Sequence, residues 1–381
     1  MPAADVVIAG GGITGFAIAY ELLRRGSKVL LLERDQEVGR GSTSRATGGI
    51  RHQFSTETNI RLSQMSYPTF ASFATEMGQE IGFRPHGYLF VSADERSWDG
   101  LQRSSALQQR LGVPTQVLAP DEARGIFPPL ATDDVLGAAY CAIDGSASPT
   151  DALAGYRRRC QALGLEVRTN EPVIGIEAGS KVASVRTTAG SYPTETFVDA
   201  AGPNVADIAG LVGLDVPARP FNRQVFVVAP MESMPKGAPL VVDLTTGWYV
   251  HQDANGTVLM GGTDKDSRPG IEPRVDWDGF DLVAQAALRR VPKLAPEVTL
   301  RTAYAGIRTL TPDHHAILGR TPVEGFVLAA NCNGHGFMHA PAVARLVAQE
   351  ILDGEARDLD LAPLRLARFA DKKASTEALM F

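Results

Sequence analysis

Apolar residues follow three patterns along this chain. A continuous run, Val6-Val7-Ile8-Ala9, breaks into Gly10-Gly11-Gly12-Ile13-Thr14-Gly15, and a second run, Val29 to Leu32, stops on Glu33. Four-residue runs without polar alternation predict strands buried on both faces, and the segment between them predicts a helix from near Thr14 to a stop at Gly26. Helical spacing of Leu62, Met65, Phe73 and Met77 predicts a helix capped by Ser55, bent or delayed at Pro68. Residues 219–262 alternate and are rich in Val, Phe, Tyr and Thr, predicting an antiparallel sheet with turns at Thr246-Gly247 and Asn255-Gly256.

The same reading predicts strands over 86–92, 136–143, 165–169 and 173–177, then a hairpin to about 196 and a buried strand over 197–202. Helices are predicted over 94–111, 120–126, 148–163 and 278–290. Near the C-terminus, Val327-Leu328-Ala329-Ala330 predicts a strand, Asn333-Gly334-His335-Gly336 a turn, and 338–352 a helix buried through Ala340, Val343, Ala344, Val347 and Ile351. Both ends of the chain thus contribute to one α/β unit, with the antiparallel sheet inserted between them.

Strand, glycine turn, helix, strand and terminal acid is an arrangement that holds a dinucleotide. Gly10 permits a tight turn, Gly12 lets the backbone approach a pyrophosphate, Gly15 lets helix and strand pack closely, and Glu33 is placed for ribose hydroxyls. The helix start aims N–H groups and a positive dipole end at the phosphates. A reading of residues 6–23 as a signal peptide or membrane span fails, because four glycines interrupt it and it carries Glu21.

Composition narrows the partners. The net charge of −6, with no basic block, argues against nucleic acid and anionic membrane. Cys141, Cys160 and Cys332 are scattered, which predicts neither a disulfide framework nor a zinc site and fits the cytoplasm. His314-His315 and His335 with His339 lack a Glu or Cys to complete a ligand set, so no metal is expected. Asp313, after Pro312, reads as a turn residue.

A second strand–glycine–helix unit at 327–352 favours flavin over nicotinamide. Gly334-His335-Gly336 either brings N–H groups and a helix N-terminus against an anionic reduced flavin or is an ordinary packing turn. The segments VVIAGGGITG…LLLER, GSTSRATGGIRHQF, VDAAG, YAGIRTLTPDHHAILG and GFVLAANCNGHGFMHAPAVARLVAQEIL occur in that order from end to end. In these the chain resembles the FAD-dependent D-amino-acid oxidase superfamily, especially its glycine oxidase, sarcosine oxidase β-subunit and amino-acid dehydrogenase branch.

The resemblance implies an α/β fold: a Rossmann-like, glutathione-reductase-like FAD-binding domain over 1–85, 143–215 and 300–370. It implies an inserted antiparallel substrate domain over 86–142 and 216–299. Noncovalent FAD is expected against Gly10, Gly12, Ile13, Thr14, Gly15, Glu33, Arg34, Gly41, Ser42, Thr43, Ser44, Arg45, Gly49, Val173, Ala201, Gly202, Gly306, Gly334, His335, Gly336 and Phe337. Arg308, in Tyr304-Ala305-Gly306-Ile307-Arg308, matches an arginine that holds a substrate carboxylate; otherwise it pairs with an acid such as Asp313. Arg51 is expected at the substrate or in a surface ion pair, Tyr249 at the substrate or in the core, and Arg223 at the pocket or, the favoured reading, in solvent.

The implied activity is oxidation of the C–N bond of a small or secondary amino acid (sarcosine-, glycine- or proline-like) by an FAD-dependent oxidase or dehydrogenase. Electrons would pass to oxygen, a quinone or another acceptor, and a homo-oligomer or partner subunits are compatible with this. A 2-hydroxy-acid or glycerol-phosphate oxidoreductase, or a flavin subunit of an electron-transfer complex, are the alternatives. Several positions depart from sarcosine oxidases. Gly306 replaces their flavin-bonded cysteine, Leu259 and Met260 stand where they carry an oxygen-activating lysine (the nearest here being Lys265), Met338 replaces a substrate lysine, and Thr150 replaces the FMN histidine of the β-subunits. Oxygen use and sarcosine specificity do not follow from the resemblance.

Overall fold

A computed structural model describes residues 4–253, 256–262, 269–370 and 375–379. Lys265 and Asn255 lie outside the described residues. A six-stranded sheet runs in the order Ile317–Arg320, Phe326–Ala330, Phe197–Asp199, Val6–Ala9, Val29–Leu32, Glu166–Arg168. Its pairs are parallel except that between Ile317–Arg320 and Phe326–Ala330.

The two apolar runs are buried on both sides because each side has its own cover. Val6, Ile8, Val29 and Leu31 pack with helices Ile13–Leu23, Glu57–Ala71, Pro149–Ala162 and Gly336–Leu352 through Phe16, Ile60, Tyr156 and Val343. Val7, Ala9, Leu30 and Leu32 instead meet Ile176, Val185 and Tyr192 of a three-stranded antiparallel sheet. Each side chain of the four-residue runs therefore enters a core, which removes the need for polar alternation.

An eight-stranded sheet runs Leu300–Leu310, Arg219–Val228, Val258–Gly261, Tyr249–Gln252, Leu240–Asp243, Tyr88–Ser92, Gly137–Cys141, Gln116–Leu118. It is antiparallel, as expected, apart from one junction: Leu240–Asp243 pairs parallel with Tyr88–Ser92. Those two strands belong to separate insertions, and the long passage of chain through the other half between them frees the pair from the hairpin constraint. A second difference concerns the boundary expected at residue 300. Strand Leu300–Leu310 lies in the eight-stranded sheet, paired from end to end with Arg219–Val228.

The helix expected to start at Ser55 begins one residue later. Thr56 occupies the N-cap position, and Glu57–Ala71 runs through Pro68 before a break at Ser72 and a short helix Phe73–Met77. Ser55 is occupied elsewhere: its N–H and hydroxyl both donate to Glu377 near the C-terminus.

Candidate active site and its cofactor cradle

One cavity of about 780 Å³ opens between the two sheets, lined by residues from both. Glycine builds the wall beside strand Val6–Ala9. At Gly10, φ is +111° and a Cβ would stand 2.4 Å from the Ala200 carbonyl oxygen. A Cβ at Gly15 would sit 2.0 Å from the Gly10 oxygen, so this glycine shapes the turn from beneath and is not itself on the wall. Gly12, at the N-cap of helix Ile13–Leu23, faces Thr43, whose hydroxyl accepts from Ile13 N–H at 3.1 Å.

Glu33 lies on the cavity, where the ribose is expected, and also braces the turn. Its carboxylate accepts from the N–H groups of Gly11 at 2.8 Å and Asp35 at 2.9 Å. Arg34, Gly41, Ser42, Thr43, Arg45, Gly49 and Val173 line the same cavity, with Ile13, Thr14, Ala201 and Gly202. Ser42 ties this loop across to the other sheet by donating to the Ile307 carbonyl at 2.7 Å. Ser44 departs from expectation: the 3-10 turn Thr43–Arg45 points it outwards, where its hydroxyl donates to Gly41 at 3.4 Å.

The C-terminal glycine turn reaches the cavity through Gly334, His335, Gly336 and Phe337. Two asparagines build it, Asn333 of the expected turn and Asn331, which composition and spacing do not single out. Asn331 donates to the Gly336 carbonyl at 2.7 Å and Thr14 hydroxyl at 3.3 Å, linking the starts of two helices. Asn333, at φ +65°, accepts from Thr311 N–H at 2.9 Å and donates its own N–H to Thr309. An Asn-Gly pair ahead of a helix is a local signal for such positive-φ geometry. His335 packs edge-on against Phe54, centroids 4.7 Å apart, and burial holds its pKa well below the ordinary value, so its imidazole is uncharged.

Long side chains form the wall contributed by the eight-stranded sheet. Arg308 lies opposite Phe221, and Arg223 opposite Gly306, so these positions share one face. Both arginines line the cavity, which corrects the expectation of a solvent-facing Arg223. Gly334 leaves room for Arg308: a Cβ there would be 2.7 Å from Nε. Burial, together with Arg223 and Arg51, pushes the Arg308 pKa down to about 10. Asp313, the alternative partner expected for Arg308, is instead buried in a two-pronged pair with Arg368 at 2.7 and 3.0 Å.

Tyr249 also faces the cavity, and its cross-strand neighbour is Gly261, where a Cβ would press into the phenol ring at 2.5 Å. Burial raises its pKa, keeping the hydroxyl protonated. Arg51 is 2% exposed rather than on the surface. Its guanidinium lies 3.8 Å over the Phe54 ring and donates to Gln53 and, at 2.9 Å, to the Leu379 carbonyl. Burial lowers its pKa, with Glu377, Tyr88 and Asp144 acting in the opposite sense.

The residues present suit a flavin adenine dinucleotide. Gly10 and Gly12 line the cavity with main chain, a Cβ on either would press on Ala200 or Thr43, and two helix starts converge there. Asn331 Oδ1 is buried and lacks a partner among the described residues, leaving an acceptor at this wall. Gly306 presents no side chain for a covalent link, and a Cβ there would approach Arg45 Cβ at 3.0 Å.

Comparison with known proteins agrees with this geometry. The family model for FAD-dependent oxidoreductases (DAO) matches residues 5–350. FAD-dependent oxidoreductase domain-containing protein 1 of Xenopus laevis is 30% identical, over 96% of this chain and 82% of that protein. Glycine oxidase of Geobacillus kaustophilus is 29% identical over 97% and 98% of the two chains. The crystal structure of L-proline dehydrogenase from P. horikoshii superposes with a TM-score of 0.90, at 28% identity over 98% and 99%. The chain belongs to the DAO family of FAD-dependent oxidoreductases. It is an enzyme whose cofactor is FAD. Among the described residues, no helix is long and apolar enough to cross a membrane.

Proposed function

We propose that this flavoenzyme oxidises the C–N bond of a small or secondary amino acid of the glycine, sarcosine or proline type. The observation that carries the reading is the convergence of Arg308 and Tyr249 on the cavity that also holds the glycine cradle. A planar guanidinium takes both oxygens of a carboxylate, each charge-assisted bond contributing about 1.5–3 kcal/mol. Arg308 anchors the carboxylate, Arg51 adds positive potential, and the protonated Tyr249 hydroxyl donates a hydrogen bond. With the carboxylate fixed, the carbon bearing the amine is carried towards the Gly334–Phe337 turn. FAD held against Gly10, Gly12, Thr14 and the Gly334–Phe337 turn would supply the hydride acceptor that turns the amine into an imine, which water hydrolyses. The protein's contribution is orientation, which accounts for several kcal/mol of about 7–11 available from this source.

The relatives named as glycine oxidase and L-proline dehydrogenase support an amine substrate. The three cysteines are buried and unpaired, which suits the reducing cytoplasm. Anaerobic mixing of the yellow protein with glycine, sarcosine, proline and other amino acids should bleach the flavin band at roughly 450 nm. Bleaching by 2-hydroxy acids or glycerol phosphate, with none by amines, would replace this reading. Admitting air or an artificial dye to the bleached enzyme then reports whether oxygen or another acceptor takes the electrons.

A further inference from the structure

The last described residues pack behind residues that line the cavity. Past the turn Leu366–Phe369, Glu377 is 1% exposed, and its carboxylate is fully engaged. One oxygen accepts from Ser55 N–H at 2.8 Å, Ser55 hydroxyl at 2.6 Å and Leu379 N–H at 3.0 Å. The other accepts from Thr56 hydroxyl at 2.9 Å and Asn59 Nδ2 at 3.1 Å. Its own N–H donates to the Asp313 carbonyl, and Ala378 N–H donates to Ser55 hydroxyl at 2.7 Å. Burial of a carboxylate demands this degree of hydrogen bonding. Two residues further on, Leu379 packs with Tyr88 and Phe90, with Tyr249 at the margin of the same cluster. Its carbonyl takes the Arg51 guanidinium. Arg51, Tyr88 and Tyr249 are all cavity residues.

The geometry points to Glu377–Leu379 as a positioning strap for the substrate pocket: Glu377 latches the strap to Ser55, Thr56 and Asn59, and the Leu379 carbonyl aims Arg51. The strap touches no substrate itself and acts through Arg51 and the backing of Tyr249. This rests on the proposed carboxylate pocket, but the latch and the Arg51 contact can be read without turnover.

The experiment compares the FAD-loaded protein with a truncation lacking 375–381, with Glu377→Gln and with Leu379→Ala. Phenylglyoxal labelling, located by peptide mass, reports the reactivity of Arg51. Benzoate, titrated against the flavin spectrum, reports carboxylate affinity. The truncation is expected to raise Arg51 labelling and weaken benzoate by ~10-fold or more, and Glu377→Gln by a few-fold, with FAD retained. Unchanged Arg51 labelling in a folded, yellow truncation overturns the strap. Should the truncation not fold, unchanged labelling in Glu377→Gln does so. Labelling decides alone if benzoate binds no form. A wild-type enzyme that no amine bleaches removes the amine reading while leaving the strap to be judged on labelling.

Discussion

Beside strand Val6–Ala9 the cavity wall is made of main chain, from Gly10, Gly11 and Gly12 and from the turn at Gly334 to Gly336. Against the eight-stranded sheet it is made of side chains, Arg308, Arg223 and Tyr249, while Arg51 enters from the loop after Gly49. The first wall is least tolerant at Gly10, where a Cβ would meet the Ala200 carbonyl, and the turn beneath it is fixed by Gly15 packing against the Gly10 carbonyl. The second is held by register, with Gly306 and Gly261 leaving space opposite Arg223 and Tyr249. On the proposed function, a cofactor common to many enzymes would be met by rigid backbone, and a particular substrate by replaceable groups. Damage to the first wall should abolish binding of FAD, whereas damage to the second should leave a yellow protein that handles substrate poorly.

The sharpest break of that contrast is Gly10→Ala. A Cβ 2.4 Å from a carbonyl, at φ +111°, should cost ~3 kcal/mol or more and yield colourless or insoluble protein. The ratio of flavin to protein absorbance checks it; full retention of FAD would show that the wall can yield. Arg308→Met should come next, lowering kcat/KM for the best amino acid by about 100-fold (~2.7 kcal/mol), mostly through KM, with FAD content unchanged. Loss of the flavin in that variant would erase the distinction between the walls.

The smallest effect is a pH dependence. Arg308 ordinarily titrates at 12.5 and is pushed down to about 10, so its charge is lost as pH rises through that value. KM for a carboxylate substrate should be flat from pH 7 to about 9 and then climb towards tenfold per unit. Arg308→Met should abolish the climb. A profile that keeps it assigns the titration to another group.

Much of the backbone wall is legible in the sequence alone. The strands Val6–Ala9 and Val29–Leu32 and the helix between them are local matters of apolar runs and glycine spacing, and each lies where these predict. The side-chain wall is legible residue by residue only where the family resemblance supplies a role, as for Arg308 and Tyr249. Arg223 escapes such reading because an alternating strand gives two faces and no sign of which one meets a cavity; pairing opposite Gly306 decides it. The composition around Ser55 suits a helix cap, yet its hydrogen bonds go to Glu377, 322 positions away.

By itself, the order of residues determined where backbone had to turn, where strands had to be buried on both faces and which end of a helix starts at the glycine turn. Those outcomes depend on sterics and hydrogen bonds within a few residues. Only the tertiary structure decided that Leu240–Asp243 joins Tyr88–Ser92 in parallel, that Asp313 pairs with Arg368, and that Leu379 caps Arg51. Each of these joins partners far apart in the chain, and their pairing exists only once both cores have closed around them.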